Sequence, residues 1–283
     1  MILKKEQLRI ETFASKTVIS VLRLFIEKPY SMFSLSDISR TTGISKSNVL
    51  RAIHALMAVG VLRQARGGKR KLFRIDAGKG IVLSFADLFM QERIANLNPS
   101  TKNAVEYLFS KIGDKADAFV LFGSCAYGLE TPKSDIDIMV VGSTRPKISA
   151  AEFLPYRFEI HAKTWDEVEK MTDFVILEAV LNGIIFKGTG KLFKIKAGIQ
   201  SFPKAYVLFR LKKALEYEER MKKTKGKARQ YYKELLRITL GELESLLYRG
   251  KLLPKKMLNI KKSLKDIEKK ASEAGEMIWL SGT

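Results

Sequence analysis

The residues best placed to do chemistry lie in Ala118–Gly142, AFVLFGSCAYGLETPKSDIDIMVVG. Asp135-Ile136-Asp137 opens an apolar run that continues through Val141. In a strand, residues two apart share a face. Asp135 and Asp137 are therefore expected side by side, with Ile136 and Ile138 turned into the core. Two carboxylates on one face repel unless a cation lies between them. Hard oxygen ligands favour Mg²⁺, with substrate phosphates and water completing its shell. Upstream, Gly123-Ser124 interrupts the short apolar strand Ala118–Phe122, and ten residues separate Ser124 from Asp135. A glycine and a small hydroxyl between a strand and a helix start offer backbone N–H groups to a phosphate.

A chain of 283 residues has room for two or three domains around this stretch. Before it, apolar residues recur at helical spacing from Ile10 to Phe25, and Pro29 ends that helix. Ser34 caps a short helix, Gly43 supplies the turn, and Ser45 opens a helix to about Val59. In that helix Val49, Leu50, Ile53, Leu56 and Met57 form the expected buried side, with His54 packed near it. Val61–Ala65 and Lys71–Ile75 flank Gly67-Gly68 as a hairpin. Helix, helix, turn, helix and β-wing together resemble the winged helix-turn-helix family over residues 8–77. The resemblance implies duplex DNA as a partner. Ser45, Lys46, Ser47, Asn48 and Arg51 would then approach the major groove, and Arg66, Lys69 and Arg70 of the wing would meet phosphates.

Ala77-Gly78-Lys79-Gly80 marks a boundary, and two helices, about 81–95 and 100–113, lead into the central stretch. After it, YRFEIHAK over 156–163 alternates as a strand, and Thr164 caps a helix expected to run unbroken from Trp165 to Leu181. From Lys204 onward, helical periodicity with a break near Thr224-Lys225-Gly226 predicts a C-terminal bundle whose last helix runs to about Ile278.

The pattern G-S-x10-D-x-D between apolar strands resembles the DNA polymerase-β-like nucleotidyltransferase superfamily. It is most similar to the small prokaryotic members called minimal nucleotidyltransferases, over residues 100–190. The resemblance assigns Gly123 and Ser124 to nucleotide phosphate. It assigns Asp135 and Asp137 to metal, and calls for a third carboxylate on a neighbouring strand. Glu159, mid-strand with His161 on its face, is the candidate, as both metal ligand and catalytic residue beside Asp135 and Asp137. Two Mg²⁺ ions and an NTP, ATP by default, are implied. Many small members carry Arg where this chain has Tyr127, so the cation of that run is missing. Cys125 has no evident base and is expected to pack rather than react.

The expected fold class is α+β multidomain. Residues 1–80 form the winged helix-turn-helix, 81–195 a nucleotidyltransferase α/β domain, and 196–283 a basic α-helical segment. Charge follows the same division: Lys+Arg exceed Asp+Glu by 11 over 1–80 and again over 201–283, while 81–200 is near neutral. A total of +21 points to a polyanionic partner. One cysteine and two histidines argue against a disulfide framework and a histidine-based metal cage. No apolar run reaches the length of a membrane span, and the N-terminus lacks a signal-peptide core, so a cytoplasmic protein is expected. The function expected is transfer of an NMP group to an acceptor hydroxyl on protein or RNA, with a homodimer as one candidate assembly. The alternative is an antitoxin-like or non-catalytic DNA-binding regulator with a nucleotide-sensing domain.

Overall fold

The structure is a computed structural model that describes residues 10–67, 70–130, 134–144, 157–247 and 260–279. The chain falls into two compact units, 1–79 with 197–283, and 80–196.

In the first unit a 3₁₀ turn precedes α1 (Lys16–Glu27), followed by β1 (Phe33–Ser34), α2 (Leu35–Thr42), α3 (Lys46–Ala58), β2 (Leu62–Gly67) and β3 (Arg70–Ile75). Ser34 and Asp37 form a reciprocal capping box that starts α2. Gly43 ends α2 at φ 71°, a left-handed conformation that closes the helix-turn-helix without a Cβ penalty. Leu22, Phe25, Phe33, Ile38, Ile53 and Leu56 are buried beneath a sheet ordered β1-β3-β2. The two-residue β1 was not legible in the periodicity. Two further expectations are corrected here. His54 is exposed, and Leu50 is 37% exposed, because the face of α3 that packs inward is Val49, Ala52, Ile53 and Leu56.

The same unit contains β8 (Ser201–Pro203), α10 (Lys204–Lys223), α11 (Gly226–Leu247), α12 (Ile260–Glu273) and β9 (Met277–Trp279). The last helix therefore stops at Glu273, and the chain returns as a strand, β9, paired antiparallel with β8. This C-terminal part packs on the N-terminal part. Phe202, fully buried, meets the Tyr30 ring edge-on at 5.9 Å. Burial pushes Lys28 below the usual lysine range against the pull of Glu242. Burial and that same glutamate push the Tyr30 hydroxyl up. Arg210 of α10 pairs with Glu242 of α11, so the half-buried carboxylate has a buried cation beside it.

The second unit orders α4 (Gly80–Ala95), α5 (Pro99–Ile112), β4 (Ala118–Phe122), α6 (Gly123–Ala126), β5 (Ile136–Gly142), β6 (Phe158–Thr164), α7 (Trp165–Lys170), α8 (Phe174–Asn182) and β7 (Ile184–Lys187), and α9 (Thr189–Gly198) leads out of it. Its sheet runs β6-β5-β4-β7, with β5 and β6 parallel and β4 antiparallel to both β5 and β7. Every residue of β4 is buried, which is why it reads as an unbroken apolar word. Leu108, Phe119, Leu121, Ile138, Val140 and Phe158 share one core cluster. The helix expected over 165–181 is two helices. Met171 adopts φ 50°, and Asp173 caps the second helix through the Ile176 N–H at 2.9 Å. Arg93 donates to the carbonyls of Gly183 and Asn182 at 2.8 and 2.9 Å, closing the far end of α8. No helix among the described residues is long and apolar enough to cross a membrane.

Phe202→Ala removes a fully buried aromatic where the two ends of the chain meet, so it should cost about 3–5 kcal/mol. With Trp165 replaced by Phe, Trp279 of the first unit is the remaining tryptophan. Its urea transition should move to lower denaturant in the Phe202→Ala background.

Candidate functional site

The site is assembled by strand register. Asp137 of β5 stands opposite Phe122 on one side and Glu159 of β6 on the other. Asp137 is the one residue of β5 that is not fully buried. Beneath its carboxylate lies Gly123, at φ 69°, where an added Cβ would come within 2.0 Å of Asp137 Oδ2. Glycine here answers both demands, the left-handed backbone and the absent side chain.

Asp137, Glu159 and His161 each offer one ligand atom, and these atoms lie within 4.8 Å of one another. His161 Nε2 is 3.4 Å from Glu159 Oε1, and its ring lies 5.5 Å from that of Phe122. Burial holds His161 below the usual histidine range. Burial, then the charges of Glu159 and Asp135, push the Asp137 carboxyl up to about 7. Asp135, exposed just before β5, lies outside the three-residue cluster, yet its charge still acts on Asp137. Two carboxylates and an uncharged imidazole are a donor set that suits a divalent cation.

Ser124 sits half-buried in the single helical turn of α6, and its carbonyl accepts from the N–H groups of Tyr127 and Leu129 at 3.1 and 3.0 Å. Cys125 is buried, its Sγ 3.6 Å from the Asp135 carbonyl, and burial pushes its thiol up to about 11. A thiol so protonated packs rather than attacks. Two neighbours escaped the sequence reading. Thr101 donates to the Glu130 carboxylate at 3.0 Å under the Gly123–Gly128 loop, and Lys163, on the same face of β6 as Glu159 and His161, pairs with Asp173. The alternation of β6 carried the second signal. Nothing local carried the first, since its partners lie 29 residues apart.

At the other candidate surface, Ser45, Lys46, Ser47, Asn48 and Arg51 are all exposed at the start of α3. Ser45 Oγ lies 3.2 Å from Ser47 Oγ and 3.5 Å from the Asn48 N–H it accepts, so part of this polar group serves the helix cap. Arg63, Lys71 and Arg74 are exposed on the wing strands. Lys69 and the side chains of Arg66 and Arg70 lie outside the described residues.

Residues 18–66 match the IclR helix-turn-helix domain, and residues 102–224 match the nucleotidyltransferase domain. A helix-turn-helix domain is fused to a nucleotidyltransferase domain. No curated protein and no solved structure gives a significant match. The nucleotidyltransferase match begins in α5 and ends just past α10, so it contains every residue of the Asp137 cluster.

Gly123→Ala in the nucleotidyltransferase domain should cost about 1–3 kcal/mol through backbone strain. It should also push Asp137 aside and weaken Mn²⁺ binding, both readable by calorimetry. Mn²⁺ affinity of the unaltered chain should rise with pH toward about 7, where Asp137 loses its proton, and level off above. Stability of the metal-free chain should run the other way. The Asp137 value is raised from 3.8, so its contribution is complete below 3.8 and is lost as pH rises through about 7. A Mn²⁺ titration unchanged across about pH 5–8 contradicts this.

Proposed function

We propose that the chain is a divalent-metal-dependent nucleotidyltransferase that transfers an NMP group from an NTP, ATP by default, to an acceptor hydroxyl, while its helix-turn-helix domain holds duplex DNA. The division of labour follows 1–80 for DNA, 81–195 for transfer and 196–283 as a basic helical segment. The observation that carries the reading is the Asp137, Glu159 and His161 cluster within 4.8 Å, on the strand pair beside Gly123-Ser124.

In this reading Asp135, Asp137 and Glu159 hold the metal, two Mg²⁺ ions by default. Bound cations supply positive charge to the attacking and leaving oxygens of the displacement. Gly123 and Ser124 receive the β- and γ-phosphates. The acceptor oxygen bonds to the α-phosphorus, the α–β bridge breaks, and pyrophosphate departs. Glu159, whose side chain is 60% exposed, is open to an incoming acceptor and takes its proton. His161, uncharged and 3.4 Å away, orients it.

A protein acceptor fits better than an RNA end. Of the basic turn between α10 and α11, Lys222 and Lys223 are already paired with Glu218 and Glu219, which leaves a thinner cationic surface for a nucleic acid. Tyr127, in place of an arginine, favours a second reading in which a nucleotide is bound but not transferred and the protein acts as a DNA-binding regulator.

The test uses α-labelled NTPs, Mg²⁺ and a lysate. Label should pass to protein, and Asp137→Asn should cut the rate by about a hundredfold or more with the circular dichroism unchanged. Label on RNA 3′ ends, lost when Lys225 and Lys227 become Ala, reverses the acceptor assignment. NTP binding without transfer to any acceptor establishes the regulator. In a separate assay, Lys46→Ala with Arg51→Ala should weaken duplex DNA binding by gel shift and reduce its salt dependence.

A further inference from the structure

We propose that the base of the wing holds a second binding site, for a small hydroxylated molecule bearing a phosphate or carboxylate, gripped by Arg63 and Arg74. The two arginines stand directly opposite each other on β2 and β3. Like charges in that relation repel. Both are exposed, and among the described residues neither enters an ion pair. They project opposite to Leu62, Phe73 and Ile75, which fill the winged-helix core.

Rather than standing in open solvent, the arginines line a cavity of about 370 Å³ shared with Ser31, Asp76, Gly78 and Gly198. That volume suits a small molecule. Ser31 is only 3% exposed, and among the described residues its hydroxyl has no hydrogen-bond partner. Its own N–H is engaged by the Lys28 carbonyl at 3.0 Å, so the hydroxyl is what the residue has left to offer. A buried hydroxyl without a partner is costly unless something else supplies one. Asp76 accepts from the Gly78 N–H at 3.3 Å through Oδ1 and keeps its second oxygen for a ligand hydroxyl. Two guanidiniums against one carboxylate leave a surplus positive charge, and the guanidinium fork matches a planar or tetrahedral oxyanion.

Duplex DNA is the competing occupant, since a wing normally meets phosphates. Geometry weighs against it: a phosphate held in a duplex backbone stays at the rim, where the arginines are exposed, whereas a free oxyanion can enter the cavity that Ser31 helps to line. The proposal is independent of nucleotide transfer and is tested without metal or nucleotide. The full chain in EDTA is titrated calorimetrically with glycerol phosphate and, separately, with glycolate. One or both should bind, and the stronger of the two identifies the oxyanion. Arg63→Gln with Arg74→Gln should weaken that binding about tenfold or more. Ser31→Ala, a small change that preserves folding, should weaken it several-fold while the unliganded chain melts no lower. Asp137→Asn should leave the affinity unchanged. The proposal is overturned if neither probe binds, if binding survives both the arginine and serine changes, or if Asp137→Asn abolishes it. Duplex binding that depends on the arginine pair, with no binding of either probe, assigns the pair to DNA instead.

Discussion

The second unit is organised around one crowded contact, the Asp137 carboxylate held over Gly123 and beside Glu159. Left to itself this contact is unfavourable. Two acidic side chains share a register position on adjacent parallel strands, and partial burial deepens their repulsion. A proton or a cation relieves it. The rest of the second unit is the framework that makes the contact affordable: an entirely buried β4, a β5 whose other residues are all buried, and helices fastened to the sheet. The fastening is polar as well as apolar. Arg93 ties the end of α8, and Lys196 donates to the Leu181 carbonyl at 2.6 Å. A rigid frame is what a metal site needs, because ligand atoms free to separate would relax apart before a cation arrived.

The first unit carries its own buried electrostatics. Lys28 and Tyr30, from the turn after α1, and Arg210 and Glu242, from α10 and α11, meet where the two ends of the chain pack. Ionised groups taken out of water are tolerated when each finds an opposite charge, and a misplaced partner is heavily penalised. Such a group disfavours dockings of the C-terminal helices that would separate Glu242 from Lys28. With Phe202 against Tyr30 and the β8–β9 pair, it makes residues 197–247 and 260–279 part of the body that presents α3, not an appendage to it.

Much of this was written locally. The ten-residue gap from Ser124 to Asp135, the apolar words on either side, the capping serines and Gly43 are short-range signals, and each element they announce is present. Signals of this kind failed where two local preferences competed. The amphipathic segment 165–181 has helical character throughout, yet Asp173 caps a new helix and Met171 takes a left-handed turn, so the helix breaks. His54 lies beside an apolar stripe, but a rotation of the buried face by one position leaves it in solvent.

By itself, then, the sequence determined which side chains share a strand face, where helices begin, and that two acidic residues and a glycine would converge near a strand end. Tertiary structure decided the register that sets Glu159 directly beside Asp137 and brings His161 within ligand distance of both. It also decided that β9 returns to β8, and that Thr101 reaches Glu130. The physical reason is common to all three. Periodicity and capping are properties of neighbours along the chain, whereas register between strands and pairing of buried polar groups depend on which distant segments satisfy each other once water is removed.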